Sequence, residues 1–202
     1  MSPPRQSLRT AGVAVRAMAV LTVVLGVGYT AVVTGIGQLA LPAQADGSLV
    51  SVDGQVVGSR LIGQSFQDSD GDALPEWFQS RPSAAGDGYD ASASSGSNLG
   101  PENDDLVSSI EDRKAAIAES DGVDPSTIPA DALTASASGL DPHISPEYAR
   151  EQVARVADAR GIPEQEVARL VDQHVQGRDL GYLGEPTVNV LELNIALAGL
   201  GG

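Results

Sequence analysis

Cysteine is absent from the 202-residue sequence. Disulfides, thiolate metal sites, cysteine nucleophiles and a lipoprotein anchor are therefore all excluded. Aromatic residues make up only 3% of the chain, so any core must be built from Val, Leu, Ile and Ala. Base-stacking platforms are scarce for the same reason. Cations are scarce too, with 12 basic against 27 acidic side chains and a net charge of −15. Phosphate backbones need clustered cations, so a nucleic-acid partner is excluded. The sequence also lacks a G-x-x-x-x-G-K-[ST] phosphate loop and any aspartyl-phosphate or kinase signature. It is not expected to hydrolyse ATP on its own.

What charge there is lies at one end. Arg5, Arg9 and Arg16 are the only charged residues before Asp46. The remainder holds nine basic and 27 acidic side chains, a net −18. Between Ala17 and Ala45 no residue is charged, and the densest apolar stretch, 13–41, exceeds the roughly 20 residues a helix needs to cross a bilayer. Gly28, Ala31 and Gly35 form a small-residue stripe on this helix, a candidate docking face for another helix. Three arginines before the span and acids after it orient the amino terminus toward the cytoplasm. The expected organisation is a cytoplasmic tail (1–12), a transmembrane anchor (13–41) and an extracytoplasmic domain (42–202). Ala43-Gln44-Ala45 resembles a signal-cleavage site, but a signal's apolar core is only about 7–15 residues. An uncleaved single-pass anchor in the cell membrane, in contact with lipid, is the preferred reading.

The domain reads as α+β, a small mixed fold. Ser48–Val52 and Gln55–Gly58 flank Asp53-Gly54, a hairpin signal because both turn residues accept positive φ. Leu61-Ile62 extends the expected sheet. Residues 66–101 are loop-rich, pinned by Trp77, Phe78 and Tyr89. About four helices follow: one through Leu106, Ile110 and Ile117; one capped by Ser145-Pro146 and ending at Gly161; one opened by Pro163; and one over Val188–Leu197.

Three constellations invite a chemical reading. Asp68, Asp70, Asp72 and Glu76 alternate as hard-cation ligands do, which makes them calcium candidates, although Gln79 stands where an EF-hand loop has its bidentate Glu. Ser92–Pro101 could wrap an anion with backbone N–H groups. Ser138, Asp141 and His143 supply the residue types of a hydrolytic triad without a nucleophile elbow. His143 and His174 are the only histidines, too few for a zinc site without carboxylate help; bracing a turn and a helix end is their expected role.

In order along the chain stand Tyr29–Gln38, Gln44–Val50, Gly58–Phe66, Arg81–Ala85, Gly96–Pro101, Leu133–Ser145, Gln152–Arg160 and Val188–Leu197. With the preceding span, these blocks resemble the C subunit of the Kdp potassium-transporting ATPase, the KdpC family. Two departures are visible: Asp68–Gln79 is longer and more acidic than the variable loop it matches, and Ser94-Ser95-Gly96 replaces a Ser-Gly-Gly run. The resemblance implies an accessory, non-catalytic subunit of a high-affinity ATP-driven potassium uptake complex. Its implied partners are a potassium-translocating A subunit, a P-type ATP-hydrolysing B subunit and a small F subunit. It also implies a catalytic-chaperone role that raises the ATP affinity of the B subunit. Ser95, Gly96, Ser97, Asn98, Gly100 and Gln152 would then be the ATP-associated residues, and ATP a ligand shared with that subunit rather than a firmly bound cofactor. The alternative reading is a membrane-anchored extracytoplasmic calcium- or ligand-binding module.

Overall fold

A computed structural model describes residues 4–200. The first residues of the expected tail and the last two of the chain lie outside the described part. The chain divides after residue 49 into two units.

The first unit is one continuous helix with a short coda. Helix α1 (Pro4–Leu21) runs into π-helical turns (Thr22–Tyr29) and then helix α2 (Thr30–Ala40). The helix thus begins within the stretch read as a tail. Gly26 and Gly28 lie in the wide turns and put no side chain in their way. The portion Leu8–Ala40, 33 residues, is long and apolar enough to cross a membrane. At 1.5 Å per residue that is roughly 50 Å, more than the ~30 Å hydrocarbon core. Its large apolar side chains stand exposed, from Val13 (63%) to Leu39 (90%). Such a surface calls for lipid or a partner helix around it. Leu41 leaves helical geometry (φ −140°, ψ 55°) ahead of Pro42, and one turn, α3 (Pro42–Ala45), follows. A residue preceding proline is pushed out of the helical region, so the stop is written locally.

The second unit opens on strands β1 (Leu49–Val52) and β2 (Gln55–Ser59). Their turn has Asp53 at φ 52° and Gly54 at φ 80°, the doubly left-handed turn that Asp-Gly favours. Leu61-Ile62 does not prolong this sheet; only an isolated bridge joins Ser59 to Ile62. The long connection after it makes turns and bridges but no named helix or strand until α4 (Asp104–Asp121). Asn103 caps α4 by accepting from the N–H groups of Asp105 and Leu106. Then come α5 (Ala130–Leu133), β3 (His143–Ile144), α6 (Pro146–Glu151), α7 (Val153–Arg160), α8 (Glu164–His174), β4 (Val175–Gln176), β5 (Thr187–Asn189) and α9 (Val190–Leu200).

A small antiparallel sheet in the order β3–β5–β4 forms the centre. Val188 of β5 is flanked by Ile144 and Val175. Helices α6, α8 and α9 pack on β5, and α8 lies beside both α7 and α9. The core is aliphatic, as composition demands: Val156, Val167, Val171, Val188, Leu193 and Leu197 are fully buried, joined by Phe78. Each such side chain contributes about 1.5–3 kcal/mol relative to an exposed one. The expected helix from Ser145 to Gly161 is interrupted at Gln152 (φ −75°, ψ −10°). His174 closes α8 by a ring-nitrogen contact to the Leu170 carbonyl at 2.8 Å.

Candidate functional site

The interruption at Gln152 has a cause. Its side chain is completely buried and clamps the loop segment 66–79 to the helices. Gln152 Oε1 accepts from the Gln79 N–H at 2.6 Å, and its Nε2 donates to the Gln79 carbonyl at 3.2 Å. Asn194, in the apolar stripe of α9, does the same for Phe78, accepting from its N–H and donating to its carbonyl, both at 2.9 Å. Arg155 ties three chain segments together. It donates to Asp121 at 2.7 Å, to the carbonyls of Pro75 (2.6 Å) and Trp77 (3.0 Å), and to Gln152 Oε1 (2.7 Å). The Arg155–Asp121 pair is almost wholly buried, with 8% and 4% side-chain exposure. Arg160 donates to the Glu76 carbonyl and stacks 4.2 Å over Trp77. A segment without regular structure is thus fixed by side chains satisfying its backbone groups.

This strap and α4 enclose a cleft of about 900 Å³, lined among others by Asp68, Asp72, Tyr89, Arg113, Ile117 and Tyr148. Burial pushes the Tyr89 phenol up to about 12, and its hydroxyl donates to the Arg81 carbonyl at 2.5 Å. Burial raises Tyr148 as well, reinforced by the negative charge of Asp121. Glu151, one turn beyond Tyr148, is pushed up to about 7 by burial and by Asp121 and Asp131. Its Oε1 is buried without a hydrogen-bond partner.

The acidic turn uses its carboxylates on itself. Asp68 Oδ1 accepts from the N–H groups of Asp70 (2.9 Å) and Asp72 (3.0 Å). Glu76 gives its carbonyl, not its carboxylate, to Arg160. Among the described residues, no three of His, Cys, Asp or Glu converge as a metal ion would need. The geometry therefore offers calcium no cage at Asp68, Asp70, Asp72 and Glu76.

Ser95, Ser97, Asn98 and Gly100 are exposed, and Gly96 is half-buried. Their loop runs along residues 136–139: the Ser95 N–H and the Ser94 hydroxyl both donate to the Ser138 carbonyl at 3.0 Å. Gly139 (φ 66°) sits where a Cβ would lie 2.6 Å from the Ser95 carbonyl and 2.7 Å from the Ala85 nitrogen; only glycine allows that approach. Gln152 is not brought to this loop; its amide is spent on Gln79 and Arg155.

Of the three hydrolytic candidates, Asp141 and His143 meet, with His143 Nδ1 3.5 Å from Asp141 Oδ1, and Ser138 stays apart from them. The Ser138 hydroxyl accepts from the Leu140 N–H at 3.1 Å, and no hydrogen bond joins it to His143. Asp141 instead pairs with Arg81 at 3.0 Å and braces the His143 turn, accepting its N–H at 3.0 Å. Burial opposes the charge on Asp141, but the bonds from His143 and the Arg81 guanidinium outweigh it and hold the carboxyl below its usual range. Sequence reasoning missed Arg155, Asp121 and Asn194. A lone amide inside the apolar run Val190–Leu197 is the signal that could have pointed to Asn194.

An apolar helix long enough to cross a membrane, followed by an acidic α+β domain whose strap is held by buried polar side chains, defines the class: a small mixed domain led by one long apolar helix. The family described as "K+-transporting ATPase, c chain" matches residues 11–199. The "Potassium-transporting ATPase KdpC subunit" of Kineococcus radiotolerans is 59% identical over 190 residues, 94% of this chain and 93% of that protein. The protein of the same name from Caulobacter vibrioides is 56% identical over 182 residues, 89% of this chain and 88% of its own length. The Mycobacterium bovis one is 49% identical over 179 residues, 88% of this chain and 92% of that protein. The chain belongs to the K+-transporting ATPase c-chain family.

Proposed function

We propose that this chain is the non-catalytic subunit that stabilises a high-affinity, ATP-driven potassium uptake complex. The observation that carries the reading is the family match over residues 11–199, which takes in both the apolar helix and the domain. Its partners in this reading are a potassium-translocating A subunit, a P-type B subunit and a small F subunit. The amino terminus faces the cytoplasm, following Arg5, Arg9 and Arg16, and the domain lies outside. The helix docks through Gly28, Ala31 and Gly35, where a Cβ at Gly35 would meet nothing within 4 Å. The net −18 of the part beyond the span concentrates potassium at the outer mouth, within a screening length of about 8–10 Å.

Raising the ATP affinity of the B subunit is the finer role that family resemblance suggests. It falls on the exposed loop around Ser95, Gly96, Ser97, Asn98 and Gly100 and leaves Gln152 as a structural clamp. It also requires that loop to face the cytoplasm. One experiment separates the two. Ser126 is exposed and the chain has no cysteine, so Ser126→Cys carries a unique label site. Labelling of intact cells by an impermeant maleimide supports the outer-mouth role. Labelling only after lysis supports the ATP role and reverses the orientation. Deleting the gene tests the subunit reading itself: uptake at micromolar potassium should be lost, and undiminished uptake would refute it.

A further inference from the structure

The hairpin formed by β4 and β5 carries an unusual tip. Leu180, Tyr182 and Leu183 are 82%, 69% and 48% exposed; among the described residues from α5 onward, only Leu200 at 40% is another exposed large apolar side chain. The tip is not loose. Asp179 and Leu183 exchange N–H to carbonyl bonds, both 2.9 Å, the Gly181 N–H donates to the Arg178 carbonyl at 3.1 Å, and Arg178 pairs with Glu185. Leu180 is held at φ 52°, a left-handed conformation that disfavours a residue with a Cβ. The chain thus tolerates strain to hold three apolar side chains outward in a fixed arrangement, the preorganisation that lowers the cost of binding.

We infer that this tip is a docking element that inserts Leu180, Tyr182 and Leu183 into an apolar pocket on a membrane-embedded partner subunit. The inference rests on the subunit reading above. Two other occupants fit less well. Loops that enter a bilayer surface carry basic rims toward anionic lipid, whereas this rim holds Asp179 and Glu185 against Arg178 alone. A second copy of the chain would need an interface clearing about 1,000 Å², which three side chains do not supply. So small a patch works only as a second contact on a partner already held by a first, which in the subunit reading is the apolar helix docked through Gly28, Ala31 and Gly35. A central tyrosine is also a residue type enriched among interface hot spots.

The test uses the full-length tagged chain in native membranes. A photoreactive phenylalanine analogue at position 182 should crosslink to another ATPase subunit identified by mass spectrometry, and the same analogue at exposed Ser126 should not. Crosslinks from position 182 to lipid, to a second copy or to nothing overturn the inference. In parallel, Leu180→Ser/Tyr182→Asp/Leu183→Ser should reduce co-purified ATPase subunits at least about ten-fold while Trp77 fluorescence reports an intact fold. Equal retention by wild type and triple variant overturns the tip alone. A wild-type chain that retrieves no ATPase subunit overturns the subunit reading, and the tip's role with it.

Discussion

The anchor and the domain solve the same problem in opposite ways. Helix Leu8–Ala40 satisfies its backbone internally and leaves apolar side chains exposed along its whole length. Its stability depends on surroundings that are not water. The domain has a modest aliphatic core and a long segment without regular structure, which satisfies only part of its own backbone. Buried Gln152, Asn194 and Arg155 bond further groups of it. The anchor's integrity is therefore a matter of composition, tolerant of exchange among apolar residues. The domain's integrity rests on a few polar side chains that permit little exchange.

The domain is most sensitive at Arg155. Arg155→Ala leaves Asp121 buried without its cation and frees the carbonyls of Pro75 and Trp77. We expect a loss of about 3–5 kcal/mol, read by urea denaturation of the full chain in detergent through Trp77, the only tryptophan. Asn194→Ala should cost about 2–3 kcal/mol in the same assay, because the Phe78 N–H and carbonyl are left buried and unpaired. Arg150→Ala, which removes an exposed pair with Asp172, should cost under about 1 kcal/mol and serves as the control.

At Glu151 substitution should act in the other direction. Its carboxyl titrates near 7 in the folded domain, above its ordinary value. The folded state therefore favours the protonated form, and stability falls as pH rises from the ordinary carboxylate range to about 7, then levels off. Glu151→Gln removes this dependence. The variant should match wild type near pH 4.5 and exceed it at pH 8. Partial solvent exposure screens the effect, so the gain is on the order of 1 kcal/mol. Equal stability of the two proteins at pH 8 would count against a raised Glu151 carboxyl. The smallest effect belongs to the anchor. Gly35→Leu should leave the Trp77 transition unchanged within about 0.5 kcal/mol while weakening association with partner subunits.

The long apolar helix was legible in the sequence, because a charge-free apolar run needs no tertiary context to be recognised, but its start was not: it begins ahead of residue 13. The Asp53-Gly54 hairpin and the Ser145-Pro146 helix start were legible for the same reason: their signals are local. The central sheet was not. Its strands are two or three residues long, too short for alternation to register, and Val188 read as the start of a helix that begins at Val190. The break at Gln152 was hidden because an amide in a helix looks ordinary until its partner, 73 residues away, is known. The cleft has the same origin, being walled by a strap whose course depends on distant side chains. Asp68, Asp70 and Asp72 suggested a cation loop by spacing alone, but spacing cannot tell a cage from a turn that bonds its own backbone.

As an anchored, non-catalytic part of a potassium-transporting ATPase, the proposed role of this chain, it should travel with the rest of that assembly. The most direct measurement is affinity purification of the tagged full-length chain from membranes in mild detergent, followed by assays of composition and of ATP hydrolysis. A P-type ATPase polypeptide and a potassium-translocating polypeptide should co-elute, with potassium-stimulated hydrolysis in that fraction and none from the chain alone. A chain that elutes without them, or that hydrolyses ATP by itself, would contradict this role.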